Sequence, residues 1–367
     1  MRQDIPYDRF DRALYSLAFA NVDLQVALNG VECRLFRDRL EQTPCERPVF
    51  VAALPRAGTT LLLDVLNMLP EFAAATYRHM PFALCPLLWP KIAAPFLRRS
   101  ENKERAHGDG MEVGFDSPEA FEEIIWQAFW RHHYQADRIE PWSDADRQPV
   151  FEAFLQDYMR KIIAAGGRPA SRYLSKNNAN IARLDLLSTL FPDGTIIVPV
   201  RHPWSQAASL LRQHRHFCRI HHDDPFARRY MNWLGHFEFG TGLRPIGFLT
   251  WQNEPHITPD QPAFWLSCWA ACYEAVLAAA PERLVLVNYD GLCASPLEHL
   301  ESLADALAID EPAALIAKAY RFRDATPATE PDIAGPLKAR CNDIYQALLA
   351  RCLAPGRPMS IAAVGMR

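Results

Sequence analysis

Pro55-Arg56-Ala57-Gly58-Thr59-Thr60-Leu61 joins two apolar runs, and its residue types suit an anion. The run Val49 to Leu54 reads as a strand that stops at Pro55, and Arg56-Ala57-Gly58 reads as a tight turn. Thr59 and Thr60 open the apolar run Leu61 to Leu69, which reads as a helix. A strand feeding a helix through a glycine turn aims backbone N–H groups and the positive end of the helix dipole at one point. Two threonine hydroxyls add donors there, and Arg56 adds a permanent charge. That chemistry is the grip of a phosphorylated or sulfated nucleotide. An ordinary ATP or GTP phosphate loop places a lysine directly before its Ser/Thr. Here Gly58 holds that place and Arg56 is the nearest cation, so a kinase-type grip on a γ-phosphate is poorly matched.

A second pair of residues supplies the same chemistry. Arg201 ends the strand-like run Thr195 to Val200, and Ser209 lies on the helix-like run that follows. Their spacing is about two helical turns at 3.6 residues per turn. Both can face the carboxyl edge of a parallel sheet, where α/β proteins bind ligands. Two anion stations on two strand–helix units suit a nucleotide phosphorylated at both ends of its ribose.

On these residues the chain resembles the PAPS-dependent sulfotransferases, of bacterial type. Pro55 to Leu61 is similar to the family's 5′-phosphosulfate loop. Lys176 to Ser209, with Phe191-Pro192-Asp193 and Arg201-His202-Pro203 inside it, is similar to its 3′-phosphate segment. Tyr289-Asp290-Gly291-Leu292 resembles a further family segment. The resemblance implies a P-loop-like α/β fold with 3′-phosphoadenosine 5′-phosphosulfate as co-substrate, adenosine 3′,5′-bisphosphate as product, and no metal. It implies that Arg56 and the backbone of Ala57 to Leu61, with Thr59 and Thr60, hold the phosphosulfate, and that Arg201 and Ser209 hold the 3′-phosphate. Lys176 falls where members with a tyrosine-sulfating or glycan-sulfating style of site place a lysine near the leaving group. Ala57 stands where Ser is usual and His202 where Asp is common. Pro199, within a strand expected to be central, is a further departure.

The implied reaction is in-line transfer of a sulfuryl group to a hydroxyl or amine, with Arg56 and Lys176 countering charge on the leaving oxygen. It requires a general base. His79, just after the loop's helix, is the first choice, His107 the second, and Glu119, Glu122 and Glu123 the third. Two rival functions stand beside this one: a kinase-like P-loop phosphotransferase and a non-catalytic nucleotide-binding protein. The acceptor, a small molecule, glycan or peptide, is not written in these residues. The His- and Arg-rich stretch 201–229 reads either as a basic wall for an anionic acceptor or, better, as a solvated face. Metal ligation by His214, His216, His221 and His222 is the weakest reading of it. Trp265 and Trp269 are expected in the core.

The elements needed to position these residues can be read from the same chain. Its 367 residues, 49% of them hydrophobic, are enough for one large α/β domain or two ordinary ones. Strands alternate with helices, which implies a central parallel sheet flanked by helices on both faces. An amphipathic helical arm is expected over 1–45, a sulfotransferase-like domain over 46–325 with insertions near 80–120 and 213–262, and a C-terminal helix and tail over 326–367. Ser117-Pro118-Glu119 reads as a helix N-cap, and 236–262, rich in Gly and Pro, as an excursion loop or lid. The formal charge of −4 argues against a nucleic-acid partner. No apolar run reaches membrane-spanning length, the N-terminus does not read as a signal peptide, and nine scattered cysteines suit reduced thiols, so a cytoplasmic protein is expected. Oligomeric state is not legible, and a homodimer is compatible with the pattern.

Overall fold

The computed structural model describes residues 9–93, 103–104, 112–113, 117–248, 257–279, 281–323 and 329–356. Its strands are β1 (Val49–Val51), β2 (Phe72–Ala73), β3 (Lys103–Glu104), β4 (Glu112–Val113), β5 (Arg172–Lys176), β6 (Thr195–Val200) and β7 (Leu284–Asn288). Five of them form a parallel sheet in the order β2-β5-β1-β6-β7, while β3 and β4 make a separate antiparallel pair. The chain runs from β1 out to β2, returns to β5, and then crosses to β6 and β7 on the other side of β1. The direction of winding therefore switches at β1. Ligand crevices of such sheets open at that point, beyond the carboxyl ends of the strands.

The strands are apolar because both faces are covered. Phe50, Ile196 and Val198 point into one buried cluster, which includes Leu155, Leu210 and Trp269. Val49, Val51 and Ile197 point into the other, with Leu62, Leu66 and Leu300. The register aligns the ends that matter. Val51 pairs with Lys176 on one side and with Ile197 on the other.

Pro199 has a simple explanation in this register. The Ile196 N–H bonds to the Arg283 carbonyl on the β7 side, and the Ile197 carbonyl accepts from the Ala52 N–H on the β1 side. The two-residue period then turns Pro199 toward β1. Paired β1 has already ended at Val51, so no ladder donor is missing there. The Pro199 carbonyl instead accepts from the Tyr273 hydroxyl at 3.2 Å.

The helices are α1 (Arg9–Ala20), α2 (Val22–Leu35), α3 (Arg37–Glu41), α4 (Thr59–Asn67), α5 (Trp89–Ala93), α6 (Glu123–Phe129), α7 (Pro149–Ala165), α8 (Leu184–Leu190), α9 (Pro203–Asp223), α10 (Pro225–Leu234), α11 (Pro262–Ala278), α12 (Tyr289–Ala294), α13 (Pro296–Leu307), α14 (Pro312–Ile316) and α15 (Gly335–Arg351). The N-terminal arm is three helices where one was expected. Asn21 interrupts it, its side chain accepting from the Asp23 N–H at 3.0 Å as an N-cap. The arm is tied down by a fully buried pair, Lys161 Nζ to Glu32 Oε2 at 2.9 Å.

Ser117-Pro118-Glu119 does not start a helix. Pro118 bridges to Thr76, and the Glu119 N–H bonds to the Ala75 carbonyl at 2.9 Å, so pairing with a distant segment overrides the local capping signal. The helix begins at Glu123. Among the described residues no helix is long and apolar enough to cross a membrane.

Candidate active site

Four strand ends meet at the switch point. The loop after β1 turns through two left-handed residues, Arg56 at φ 67° and Gly58 at φ 92°. Gly58 is required twice over, because a Cβ there would sit 2.1 Å from Cε2 of Tyr289, the residue that follows β7. Gln206 of α9 clamps the loop. Its Nε2 donates to the carbonyls of Leu54 at 3.1 Å and Pro55 at 2.9 Å, while its Oε1 accepts from the Trp269 indole at 3.0 Å. Trp269 is a core residue, as expected, and through Gln206 it also fixes the loop. Ala57 is fully buried among apolar neighbours, which suits a methyl in place of a hydroxyl.

The two expected anion stations are physically joined. Arg201 Nη1 donates to the Arg56 carbonyl at 2.7 Å, and Arg56 Nε donates to Ser209 Oγ at 3.1 Å. The Arg201 guanidinium lies over the Tyr289 ring, 5.6 Å from its centroid. Burial pushes the Tyr289 hydroxyl up to about 12, so it stays neutral. Arg201 Nε is buried and has no hydrogen-bond partner among the described residues. His202 stands where Asp is common in the family and serves as the N-cap of α9. Its Nδ1 caps α9 by accepting from the Trp204 N–H at 3.3 Å, and its own N–H donates to Asp290.

Beside this loop lies an open cleft of about 470 Å³. Pro55, Arg56, Thr59 and Thr60 line one wall; Lys176, Glu119, Asn178, His236 and Glu238 line the other. Lys176, at the end of β5, is buried with Nζ 4.0 Å from Glu119 Oε1. Glu119 also accepts from the Tyr77 hydroxyl at 2.7 Å and the Ala120 N–H at 2.8 Å. Asn178 Nδ2 donates to Glu238 at 2.7 Å, and His236 Nε2 is 3.3 Å from the Ala120 carbonyl. Arg201 and Ser209 adjoin the cleft through Arg56 but are not among its lining residues.

The candidate bases part company here. His79 is buried, its Nδ1 accepting from the Thr76 N–H at 3.0 Å in a capping box, and it does not line the cleft. His107 lies outside the described residues. Glu122 and Glu123 are consumed by the interior. Glu122 accepts from the Trp126 indole and the Tyr173 hydroxyl, each at 3.1 Å. Glu123 pairs with the buried Arg183 at 2.8 Å and accepts from Asn177 and Tyr134. Only Glu119 of the three carboxylates reaches the cleft. Sequence reasoning missed Asn178, His236 and Glu238 altogether.

The basic stretch resolves as a solvated face. Arg212, Arg215, Arg219, Arg228 and Arg229 are exposed, and none lines the cleft. His214 and His221 are buried in the protein interior. Among the described residues, the grouping with metal-ligand spacing is His132, His133 and Asp146, away from the cleft. Both ring nitrogens of His133 already have partners, the Glu140 carbonyl and Asp146.

Fold and site together define a doubly wound α/β protein with a glycine turn feeding a helix start at its switch point. Residues 48–312 match the model of the sulfotransferase family, and the chain belongs to that family. Among solved structures it is similar to sulfotransferase STF9 from Mycobacterium avium, at 15% identity and a TM-score of 0.50, over 97% of this chain and 89% of that one. Sulfotransferase STF1 from Mycobacterium tuberculosis H37Rv matches at 14% identity and a TM-score of 0.43, over 88% and 81%. The sulfotransferase domain from the Synechococcus PCC 7002 olefin synthase matches at 16% identity and a TM-score of 0.37, over 84% and 96%. At these identities the likeness to STF9 speaks for the fold alone. The comparison with curated proteins gave no match.

Proposed function

We propose that the chain transfers a sulfuryl group from 3′-phosphoadenosine 5′-phosphosulfate to an acceptor hydroxyl. The observation that carries this reading is the buried Arg201 Nε, a charged donor lacking a partner among the described residues beside Ser209 and the Arg56 carbonyl. Arg201 as a whole is half-buried, but a charged N–H shut off from water is costly unless an acceptor completes it, and a 3′-phosphate is such an acceptor. The loop from Arg56 to Leu61 supplies the second station, with N–H groups at the start of α4 and the Thr59 and Thr60 hydroxyls. ATP offers nothing to the first station.

In the proposed reaction the donor supplies an activated sulfuryl group. The acceptor oxygen forms a bond to sulfur as the bridging S–O bond breaks, and adenosine 3′,5′-bisphosphate departs. Arg56 and Lys176 stabilise negative charge developing on the bridging oxygen. Glu119 takes the acceptor's proton, because of the two carboxylates lining the cleft, Glu119 and Glu238, it is the one beside Lys176. The geometry favours Glu119 over His79, whose Nδ1 is committed to its cap.

Calorimetric titration without added metal tests the reading. Adenosine 3′,5′-bisphosphate is expected to bind more tightly than ATP. Arg201→Ala is expected to weaken it by roughly 10- to 100-fold, the worth of a hydrogen bond to a charged group. Tighter binding of ATP, or an unchanged bisphosphate affinity in the variant, overturns it.

A further inference from the structure

A second pocket, of about 610 Å³ with its open mouth included, abuts the cleft and shares Pro55, Asn178 and Glu238 with it. Its character is the opposite of the cleft's. Leu54 comes from the loop after β1, Leu210 from α9, and Trp265, Cys268 and Cys272 from α11; Phe237, Leu243 and Ile246 complete the apolar lining. The indole N–H of Trp265 is already spent on the Pro259 carbonyl at 2.8 Å. Burial pushes the Cys272 thiol up to about 12 and holds that of Cys268 well above its ordinary value, so both stay neutral and behave as small apolar groups. Two half-buried charged groups touch the cavity, and each is already engaged. Glu238 accepts from Asn178, and the Arg244 guanidinium lies over the Phe237 ring at 4.3 Å.

We infer that this chamber receives the hydrocarbon body of the acceptor, so that the acceptor is an alcohol or phenol that is apolar over most of its surface. The inference rests on the sulfuryl-transfer reading and adds the acceptor's class. A ligand lodged there meets the phosphosulfate loop at Pro55, so its polar end emerges where the two cavities join. Sugars and peptides fit poorly, since their hydroxyls and amides would lose water against this lining without gaining partners. The arginines of 212–229, which suggested an anionic acceptor, face solvent away from both cavities.

The test uses the full chain saturated with adenosine 3′,5′-bisphosphate, titrated with 2-naphthol and, separately, with glucose. 2-Naphthol is expected to bind and glucose to give no heat. Cys268→Phe, which fills the chamber, is expected to weaken 2-naphthol at least roughly tenfold, the penalty of a misfitted apolar pocket, with bisphosphate affinity unchanged. Ile246→Asn, which makes the lining polar without filling it, should act in the same direction and serves if Cys268→Phe does not fold. Glucose binding as tightly as 2-naphthol, or unchanged 2-naphthol affinity in a folded variant, overturns the inference while leaving the donor reading intact. Absence of bisphosphate binding to the unmodified chain overturns the donor reading instead.

Discussion

The two walls of the cleft are built by different means. The loop wall follows a strand end, with Pro55 and Arg56 just beyond β1, and two further strand ends back it from outside the cleft, Arg201 directly after β6 and Tyr289 directly after β7. Its geometry follows from the sheet, and hydrogen bonds among its own members reinforce it. The facing wall draws Glu119 and His236 from segments far apart in the chain. They meet around the Ala120 backbone, whose N–H bonds to Glu119 and whose carbonyl faces His236. A wall made by strand ends holds charge at fixed points. Apart from Lys176 at the end of β5 and Asn178 just beyond it, the facing wall is assembled from coil segments and depends on contacts between distant parts of the chain.

Exchanging one atom on the facing wall should give the largest change. Glu119→Gln keeps the shape of the side chain but removes the proposed base. Turnover with an apolar alcohol and 3′-phosphoadenosine 5′-phosphosulfate is expected to fall by about 10²- to 10⁴-fold. Bisphosphate affinity, which rests on Arg201, Ser209 and the loop after β1, should change far less than turnover. Steady-state kinetics beside calorimetry separates the two walls. Turnover near normal would transfer the base to His236.

Glu123→Gln sharpens the contrast from four residues away. This carboxylate neutralises Arg183, which is buried against the rings of Trp126 and Trp142 at 4.0 and 4.1 Å. Removing one partner of a buried pair costs about 3–5 kcal/mol. The expected result is a large loss of stability in denaturant melts. Any folded fraction should retain turnover, and a stable but inactive variant would contradict the separation of roles between Glu119 and Glu123.

The same contrast explains what could be read from the chain. Pro55 to Leu61, Arg201 and Ser209 were legible because each sits within a few residues of an apolar run that becomes a strand or helix. Tertiary structure then had only to bring two such units side by side. Asn178, His236 and Glu238 carry no local pattern, since what recruits them is contact with segments distant in sequence. Glu119 was legible as a candidate only, because the Ser-Pro-Glu signal placed it on a helix that instead starts at Glu123. A usable signal was nonetheless present. Three glutamates sit beside Phe121, Ile124, Ile125 and Trp126, and carboxylates in such a run need partners or a task. The parallel α/β fold was plain from alternation, while the break of the arm at Asn21 was missed because apolar spacing continues across it. The apolar chamber was hidden for the same reason as the facing wall, its lining coming from the loop after β1, α9, α11 and the coil after α10.

The facing wall should also be the more sensitive to acid. His221 of α9 supports the turn that follows His236 and Glu238. Its Nδ1 accepts from the Thr241 N–H at 3.1 Å, which requires the neutral ring, and Gly240 packs so closely that a Cβ there would lie 2.5 Å from that nitrogen. Burial, with Arg228 and His214 nearby, lowers the His221 pKa from 6.5 to about 4. The unfolded chain therefore binds a proton that the fold refuses between these values. The contribution of His221 to stability is complete above about pH 6.5, declines as pH falls toward 4, and is exhausted below that. His221→Asn, which cannot protonate, should show a shallower fall in melting temperature across this window than the unmodified protein, and the same slope above pH 7. The cost to the unmodified protein should appear on the facing wall first, as a weakened 2-naphthol titration at pH 5 with bisphosphate binding less affected. Parallel melting curves for the two proteins across pH 4 to 6.5 would remove His221 from the support of that wall.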